Sequence, residues 1–248
     1  MVSPDGAFAL DQLSWTDVAA HLARDPRLIV PVGALEQHGP HLPLGTNILI
    51  ARRVAIDLSE EFSVLRAPTV PYGVNVDAER AFAGTASMRR KTLHRVLNEL
   101  LGHWEGHGVR EFILITAHRH EPHLDALATL FSATARLRVV QVWDVALGDL
   151  LEEQRMPLHG GEAETSVMLH LYPEHVRMER ARDVDLPDAL FRSYLRGELS
   201  VPPAGSPGSV GRPSAANESK GSAIYARVLA AIRGAVFLDP GEDETDTV

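Results

Sequence analysis

The segment VPVGALEQHGPHLPLGTN, residues 30–47, says more about this 248-residue chain than any other stretch. It begins with an apolar run typical of a buried strand and continues into a loop, broken by glycines and prolines, that carries Glu36, His38 and His41. Open α/β folds place ligands and metals just past the ends of such strands. In extended backbone, Glu36 and His38 point to the same side and could grip one cation or two adjacent ones. The alternative is a surface loop with solvated side chains.

Apolar runs alternate with helical patterns along the rest of the chain. Runs of Val, Ile and Leu with little alternation are typical of strands buried on both faces. The predicted strands are residues 28–32, 63–70, 111–116 and 138–143. The predicted helices are residues 47–61, 91–107, 121–136, 162–171 and 219–236. This alternation predicts the α/β class, with three α/β/α layers around a mostly parallel sheet.

Length and composition narrow the class of protein. We expect a single domain over residues 1–248, with a solvated and frayed acidic tail at about 239–248. The net charge of −9 argues against nucleic acid as a partner. No run approaches the roughly 18 apolar residues that span a bilayer and no secretory signal is visible, so we expect a cytoplasmic protein without membrane contact. Because the chain has no cysteine, any metal must be held by nitrogen and oxygen ligands.

A second group of ligand-type side chains follows the predicted strand at 111–116. The sequence AHRHEPH, residues 117–123, supplies His118 and His120, which can reach a common centre if the backbone is extended. The alternative is a first helical turn with exposed imidazoles. His123 falls on the predicted helix, where a structural role explains it better.

A third group lies in LHGGEAETS, residues 158–166. The two glycines allow the backbone to pass close to a ligand, and His159 directly precedes them. Acids in the first turn of a helix also suit the helix dipole, so Glu162 has a strong structural explanation. The segment at 201–217 is rich in Pro, Gly and Ser, and we expect an ordered loop at a site mouth or subunit contact rather than a flexible linker.

The three groups together predict a metal site. Six of the twelve histidines fall in them, each group at a strand-to-helix junction. A divalent cation lowers the pKa of a bound water to about 7 and polarises a carbonyl, so a cluster that binds one could take part in catalysis. No nucleophile elbow, phosphate-binding loop or dinucleotide fingerprint offers a competing site.

These segments, in this order, resemble the creatininase family of metal-dependent amidohydrolases. The sequence EQHGPHLP at 36–43 is close to the family signature, and HGGEAETS at 159–166 looks like its H-x-G-x-x-E-T-S element. With AGT at 83–85 and LYPE at 171–174, the resemblance covers roughly residues 10–235. It implies a three-layer α/β/α fold, homo-oligomers that are hexamers built from dimers, and hydrolysis of a C–N bond in a cyclic or linear amide with Zn, Mn or Fe.

The resemblance also implies roles for individual residues. Carried over by position, Glu36 and His118 hold one metal and His38 a second, with His120 at the next ligand position. Glu164 is either a ligand or a proton shuttle, and His159 protonates the leaving nitrogen. The resulting metal shell is Glu36, His38, Asn47, His118, His120 and Glu164, and the catalytic residues are His159 and Glu164.

Four departures from the family pattern lie at the chemistry. The usual N-G-H is replaced by Thr116-Ala117-His118, and His120 stands where a Glu can be the next ligand. Asn47 stands where the family has a metal-bridging Asp, and Glu79 stands where it has a His. A neutral amide bridges two cations poorly, since they repel unless anions lie between them. We therefore expect one tightly held metal and a weak or absent second. The expected metal is Zn, with Fe or Mn as alternatives, and His120 in place of a carboxylate favours Zn, Fe, Co or Ni over Mn.

Three functions remain open from the sequence. The first is an amidohydrolase that uses a metal-bound hydroxide on a creatinine-, lactam- or formamide-like small molecule. The second is a biosynthetic relative with a cyclisation, deformylation or lyase reaction on a specialised metabolite. The third is a non-catalytic binding relative. Trp143 ends a predicted strand and could line the pocket, although a core role is also open to it.

Overall fold

The computed structural model describes residues 6–152, 155–196 and 198–238. It contains a four-stranded sheet in the order β2-β1-β3-β4, and every neighbouring pair is parallel. The strands are β1 (Arg27–Pro31), β2 (Leu65–Arg66), β3 (Glu111–Thr116) and β4 (Arg136–Gln141). The predicted α/β class with a parallel sheet is therefore confirmed. The acidic tail predicted at about 239–248 lies outside the described residues.

Seven α-helices connect or follow the strands in the described part of the chain. They are α1 (Trp15–Leu22), α2 (Thr46–Phe62), α3 (Arg90–Gly106), α4 (Glu121–Ala128), α5 (Glu162–Leu171), α6 (Asp188–Leu195) and α7 (Glu218–Ile232). Among the described residues, none of the helices combines the length and apolar character that crossing a bilayer requires.

The sheet separates two cores, because alternate residues of a strand point to opposite faces. In β3, Ile113 and Ile115 pack with α2, α5 and α7, whereas Phe112 and Leu114 pack with α1, α3 and α4. All four side chains are fully buried. Burial of such a side chain contributes about 1.5–3 kcal/mol, so both helical layers are held to the sheet by apolar contact. The predicted three-layer arrangement is confirmed.

Three predicted strands have different bounds in the structure. The strand predicted at 28–32 begins and ends one residue earlier. The strand predicted at 63–70 is reduced to Leu65–Arg66, followed by one bridge between Val32 and Val70. Pro68 explains the break, because proline has no N–H to donate to the neighbouring strand. The strand predicted at 138–143 begins and ends two residues earlier.

Two predicted helices end early. The helix predicted at 121–136 ends at Ala128, since side chains of α3 bind the backbone that follows: Phe131 N–H donates to Asn98 Oδ1 at 2.9 Å, and Thr134 N–H donates to Glu105. The helix predicted at 219–236 ends at Ile232 and continues as a π-helical turn. Side-chain contacts with α3 therefore decide where α4 stops.

Candidate metal centre

The predicted ligands meet at the carboxyl edge of the sheet, where the parallel strands deliver their following loops. The first loop (residues 32–45) follows β1, the second loop (residues 117–120) follows β3, and the third loop (residues 142–161, described apart from 153–154) follows β4. Asn47 and Glu164 lie in the first turns of α2 and α5. The structure brings together all seven predicted site residues, which are Glu36, His38, Asn47, His118, His120, His159 and Glu164.

Glu36 is the centre of this cluster and is fully buried. Its carboxylate lies 3.1 Å from His118 Nδ1, 3.4 Å from His120 Nδ1 and 3.9 Å from His159 Nδ1. Burial opposes ionisation of Glu36, but the surrounding imidazoles hold its pKa well below the ordinary value. The cluster is therefore built around a buried negative charge.

Several polar atoms in the cluster fit a cation better than a protein partner. Glu36 Oε1, His38 Nε2 and His120 Nδ1 are buried and have no hydrogen-bond partner among the described residues. Leaving such an atom unsatisfied costs about 1–3 kcal/mol. Two sets of donor atoms lie within 4.8 Å of one another, and both include Glu36: one adds His118 and His120, the other His38 and His159. A carboxylate with imidazoles suits a divalent ion such as Zn²⁺.

Backbone carbonyls fix which nitrogen of two imidazoles faces the cluster. His38 Nδ1 lies 3.0 Å from the carbonyl oxygen of Glu36, and His118 Nε2 lies 2.9 Å from the carbonyl oxygen of Val74. Because a carbonyl only accepts, these nitrogens carry the hydrogens. In the neutral imidazoles that bind a cation, the lone pairs of His38 Nε2 and His118 Nδ1 would then be directed at the cluster. Without a cation, burial lowers the pKa of His118, but the carboxylate of Glu36 outweighs this and raises it.

A glutamine side chain sets the orientation of His159. The N–H of Gly39 donates to Gln37 Oε1 at 2.8 Å, so the amide nitrogen of Gln37 faces the other way. There it donates to Glu79 at 2.5 Å and lies 3.0 Å from His159 Nε2. The same nitrogen lies 3.1 Å from the Gly208 carbonyl, so its two hydrogens serve three neighbours. Because an amide nitrogen cannot accept, a hydrogen on His159 Nε2 would have no acceptor there, which favours the tautomer with the hydrogen on Nδ1, toward Glu36. His159 thus faces the cluster as a donor and not as a ligand.

Burial controls the protonation of the remaining groups. It lowers the pKa of His120 to about 4, and burial together with the charge of His38 lowers the pKa of His159 to about 3. Both imidazoles are therefore neutral at neutral pH. Burial raises the pKa of Glu164, whose carboxylate accepts the Gly160 N–H at 2.7 Å and lies 3.7 Å from His38 Nε2.

Asn47 lies between two predicted ligands. Its Nδ2 donates to Glu36 Oε2 at 3.0 Å and lies 3.1 Å from His118 Nδ1. In this orientation the amide acts as a donor to the carboxylate, and only the reverse orientation would present its oxygen to a cation. The ligand role of Asn47 stays a prediction.

Other side chains singled out in the sequence lie behind the site or in the core. Trp143 is a core residue whose Nε1 donates to the Ala117 carbonyl at 2.8 Å, and it does not line the pocket. Glu162 pairs with Lys220 and is structural. His41 and His123 are buried and lie 3.0 Å from the hydroxyls of Thr165 and Thr116, respectively.

Sequence reasoning missed three residues that the structure places at the site, and it identified a fourth, Glu79, only as a departure from the family pattern. Gln37 and Arg119 each lie between two predicted ligands in the chain, so their positions could have identified them as site residues. The segment at 201–217, which the sequence analysis expected to be an ordered loop, contacts the site: Val210 N–H donates to the His159 carbonyl at 2.8 Å. Tyr194 lies on α6, and its hydroxyl oxygen accepts the backbone N–H of His159 at 3.2 Å. Nothing local marks Tyr194 or the carboxylate of Glu79 as neighbours of this loop.

Comparison with known proteins gives a consistent set of relatives. The creatininase family model, described as creatinine amidohydrolase, matches residues 11–236. A creatinine amidohydrolase from Pseudomonas putida is 28% identical over 91% of this chain and 94% of its own length. A mycofactocin precursor peptide peptidase from Mycobacterium tuberculosis is 32% identical over 82% of each chain.

Solved structures agree with this set. A crystal structure of creatinine amidohydrolase superposes with a TM-score of 0.80 at 25% identity, over 93% of this chain and 96% of that one. A Zn-Zn form of a creatininase mutant superposes with a TM-score of 0.79 at 25% identity, over 92% and 98% of the two chains.

Proposed function

The chain belongs to the creatininase family of hydrolases, and we propose that it hydrolyses the C–N bond of a small cyclic or linear amide with the help of a divalent metal. The observation that carries the proposal is the buried cluster in which Glu36 Oε1, His38 Nε2 and His120 Nδ1 converge without protein partners. Such atoms are costly to bury unless a ligand satisfies them.

Four residues would hold the metal: Glu36, His38, His118 and His120. Bound there, the cation would supply Lewis acidity and lower the pKa of a water molecule. Zinc is the metal we favour, because three of the four donors are imidazoles. Asn47 donates to Glu36 and adds no negative charge, so we expect one tightly bound cation and a weak or absent second.

In this proposal His159 donates a hydrogen bond and Glu164 carries a proton. His159 is held with Nδ1–H toward Glu36, so it can donate a hydrogen bond to negative charge that develops on a carbonyl oxygen. For His159 to protonate the leaving nitrogen, as the sequence suggested, it must first take up a proton, which its low pKa disfavours. Glu164 has a raised pKa and is the better proton carrier.

The first experiment is the metal content per chain of the wild type and Asn47→Asp, measured in parallel by plasma mass spectrometry. We expect about one metal in the wild type and a rise toward two in the variant, since Asp adds an anion between two cation positions. Two metals in both would contradict the role of Asn47, and no metal in either would favour a non-catalytic binding relative.

A peptide is the second candidate substrate, because a 32% identical relative is a precursor peptide peptidase. A screen of cyclic ureas, lactams, formamides and short peptides separates the two candidates, with Glu36→Ala as the inactive control. A product of cyclisation or deformylation would instead support the biosynthetic alternative. Assembly into homo-oligomers and the single-domain organisation stay predictions.

A further inference from the structure

The pocket above the cluster is small compared with most substrates. Its volume is about 80 Å³, and its walls include His118, His120 and Glu164. A volume of this size admits the reacting group and little more, so the remainder of a substrate must lie at the mouth. The side chains at the mouth therefore decide which amides bind.

Arg119 supplies a fixed positive charge at this pocket. It is exposed and lines the pocket, and its Nη1 donates to the carbonyl of Pro157, another lining residue, at 2.8 Å. Arg119 forms no ion pair within the part of the chain that the structure describes. The Pro157 contact occupies one N–H group of the guanidinium and holds the group in place beside the pocket.

The other charges of the pocket are already compensated. Glu36 is surrounded by imidazoles and would share the cation, and Glu164 lies beside His38. Burial raises the pKa of Glu164 and the charge of Arg119 helps to lower it, but among the described residues the two form no ion pair, so the remaining N–H groups of the guanidinium are available to a molecule at the mouth. The planar arrangement of these N–H groups matches the two oxygens of a carboxylate better than it matches a neutral amide.

We propose that Arg119 binds a carboxylate of the substrate, so that the amide carries an anionic group close to its reacting carbonyl. This inference rests on the proposed hydrolase function, because it assigns a specificity residue to that same pocket. It predicts a preference for amides with a nearby carboxylate over neutral amides of the same size.

The test uses two zinc-binding probes of equal size: the monohydroxamate of succinic acid and its neutral primary amide. Each is titrated calorimetrically into zinc-loaded wild type, Arg119→Gln and Arg95→Gln, with zinc content checked for every protein. Arg95 is an exposed arginine on α3 and serves as the matched control. We expect the acid to bind the wild type roughly tenfold tighter than the amide, and this preference to disappear only in Arg119→Gln.

Equal affinities in the wild type, or a preference that survives Arg119→Gln, would overturn the inference and leave the hydrolase proposal standing. Loss of the preference in Arg95→Gln as well would show a general charge effect and would also overturn it. A protein that takes up no zinc, or that binds zinc but neither hydroxamate, would contradict the proposed function and the inference with it.

Discussion

The first and second loops look alike in sequence, but they orient their ligand histidines by different means. In the first loop, His38 bonds to the carbonyl of Glu36, two residues earlier in the chain. In the second loop, His118 bonds to the carbonyl of Val74, which lies 44 residues away. The orientation of His38 is therefore a local property of its loop, whereas the orientation of His118 depends on how the chain folds around it.

The two regions also differ in their outward-facing histidines, which are the buried ones that are not predicted ligands: His41 in the first loop and His123 on α4, directly after the second loop. His41 lies 3.0 Å from the Thr165 hydroxyl, and among the described residues it forms no hydrogen bond to the Glu36 carbonyl that orients His38. His123 accepts the N–H of Val74 at 3.3 Å, so it touches the same peptide segment that orients His118. The contacts of each histidine with distant residues therefore indicate its role. His123 supports a ligand histidine through Val74, whereas His41 packs against Thr165.

The strongest test of this comparison is the pair His38→Ala and His41→Ala. We expect His38→Ala to lower metal affinity at least 100-fold, more than outer partners of metal ligands typically contribute. His41→Ala should keep the affinity and lower the free energy of unfolding by about 1–3 kcal/mol, since it removes a buried polar contact. Metal titration and urea unfolding measure the two effects. Similar metal affinities in the two variants would contradict the assignment of inward and outward roles.

A smaller effect is expected for His123→Ala. Loss of the contact with Val74 loosens the carbonyl that orients His118, so metal affinity should fall by about 10-fold. His41→Ala is the matched control, because it removes a buried outward-facing histidine of the other loop. An unchanged metal affinity in His123→Ala would show that Val74 is held in place without it.

The smallest expected effect concerns Glu79, which accepts a hydrogen bond from Gln37, the residue that orients His159. Burial and the nearby charge of Glu36 raise the pKa of Glu79 from 4.5 to about 8. Between these values the folded protein keeps a proton that the unfolded chain has lost, so stability falls as pH rises, by up to about 1.4 kcal/mol per pH unit. Glu79→Gln should remove this slope in unfolding measurements from pH 5 to 8.

The control for that measurement is Glu99→Gln on α3, an exposed glutamate that should leave the slope unchanged. A slope that persists in Glu79→Gln would assign the pH dependence to another buried group. Because Gln37 can still donate to the amide oxygen of the new side chain, the orientation of His159 should be kept in Glu79→Gln.

Much of the fold was predictable, because strands buried on both faces appear in the sequence as nearly continuous apolar runs. β3 was predicted with the bounds it has in the structure, since five apolar or β-branched residues (112–116) follow the charged pair at 110–111. The early end of α4 was not predictable in the same way. Its stop depends on Asn98 and Glu105, which bind the following backbone from a separate helix.

The sequence by itself determined the parallel α/β architecture and, together with the family resemblance, the six residues that gather around Glu36. Strand burial and the strand-to-helix position of each group are local features, and a parallel sheet brings its carboxyl ends to one edge. Apart from His38, whose partner is two residues away, only the tertiary structure decided how these side chains are oriented. Val74 orients His118, Gln37 turns His159 into a donor, and Tyr194 reaches the pocket from α6. These contacts join residues far apart in the chain, so no local pattern encodes them.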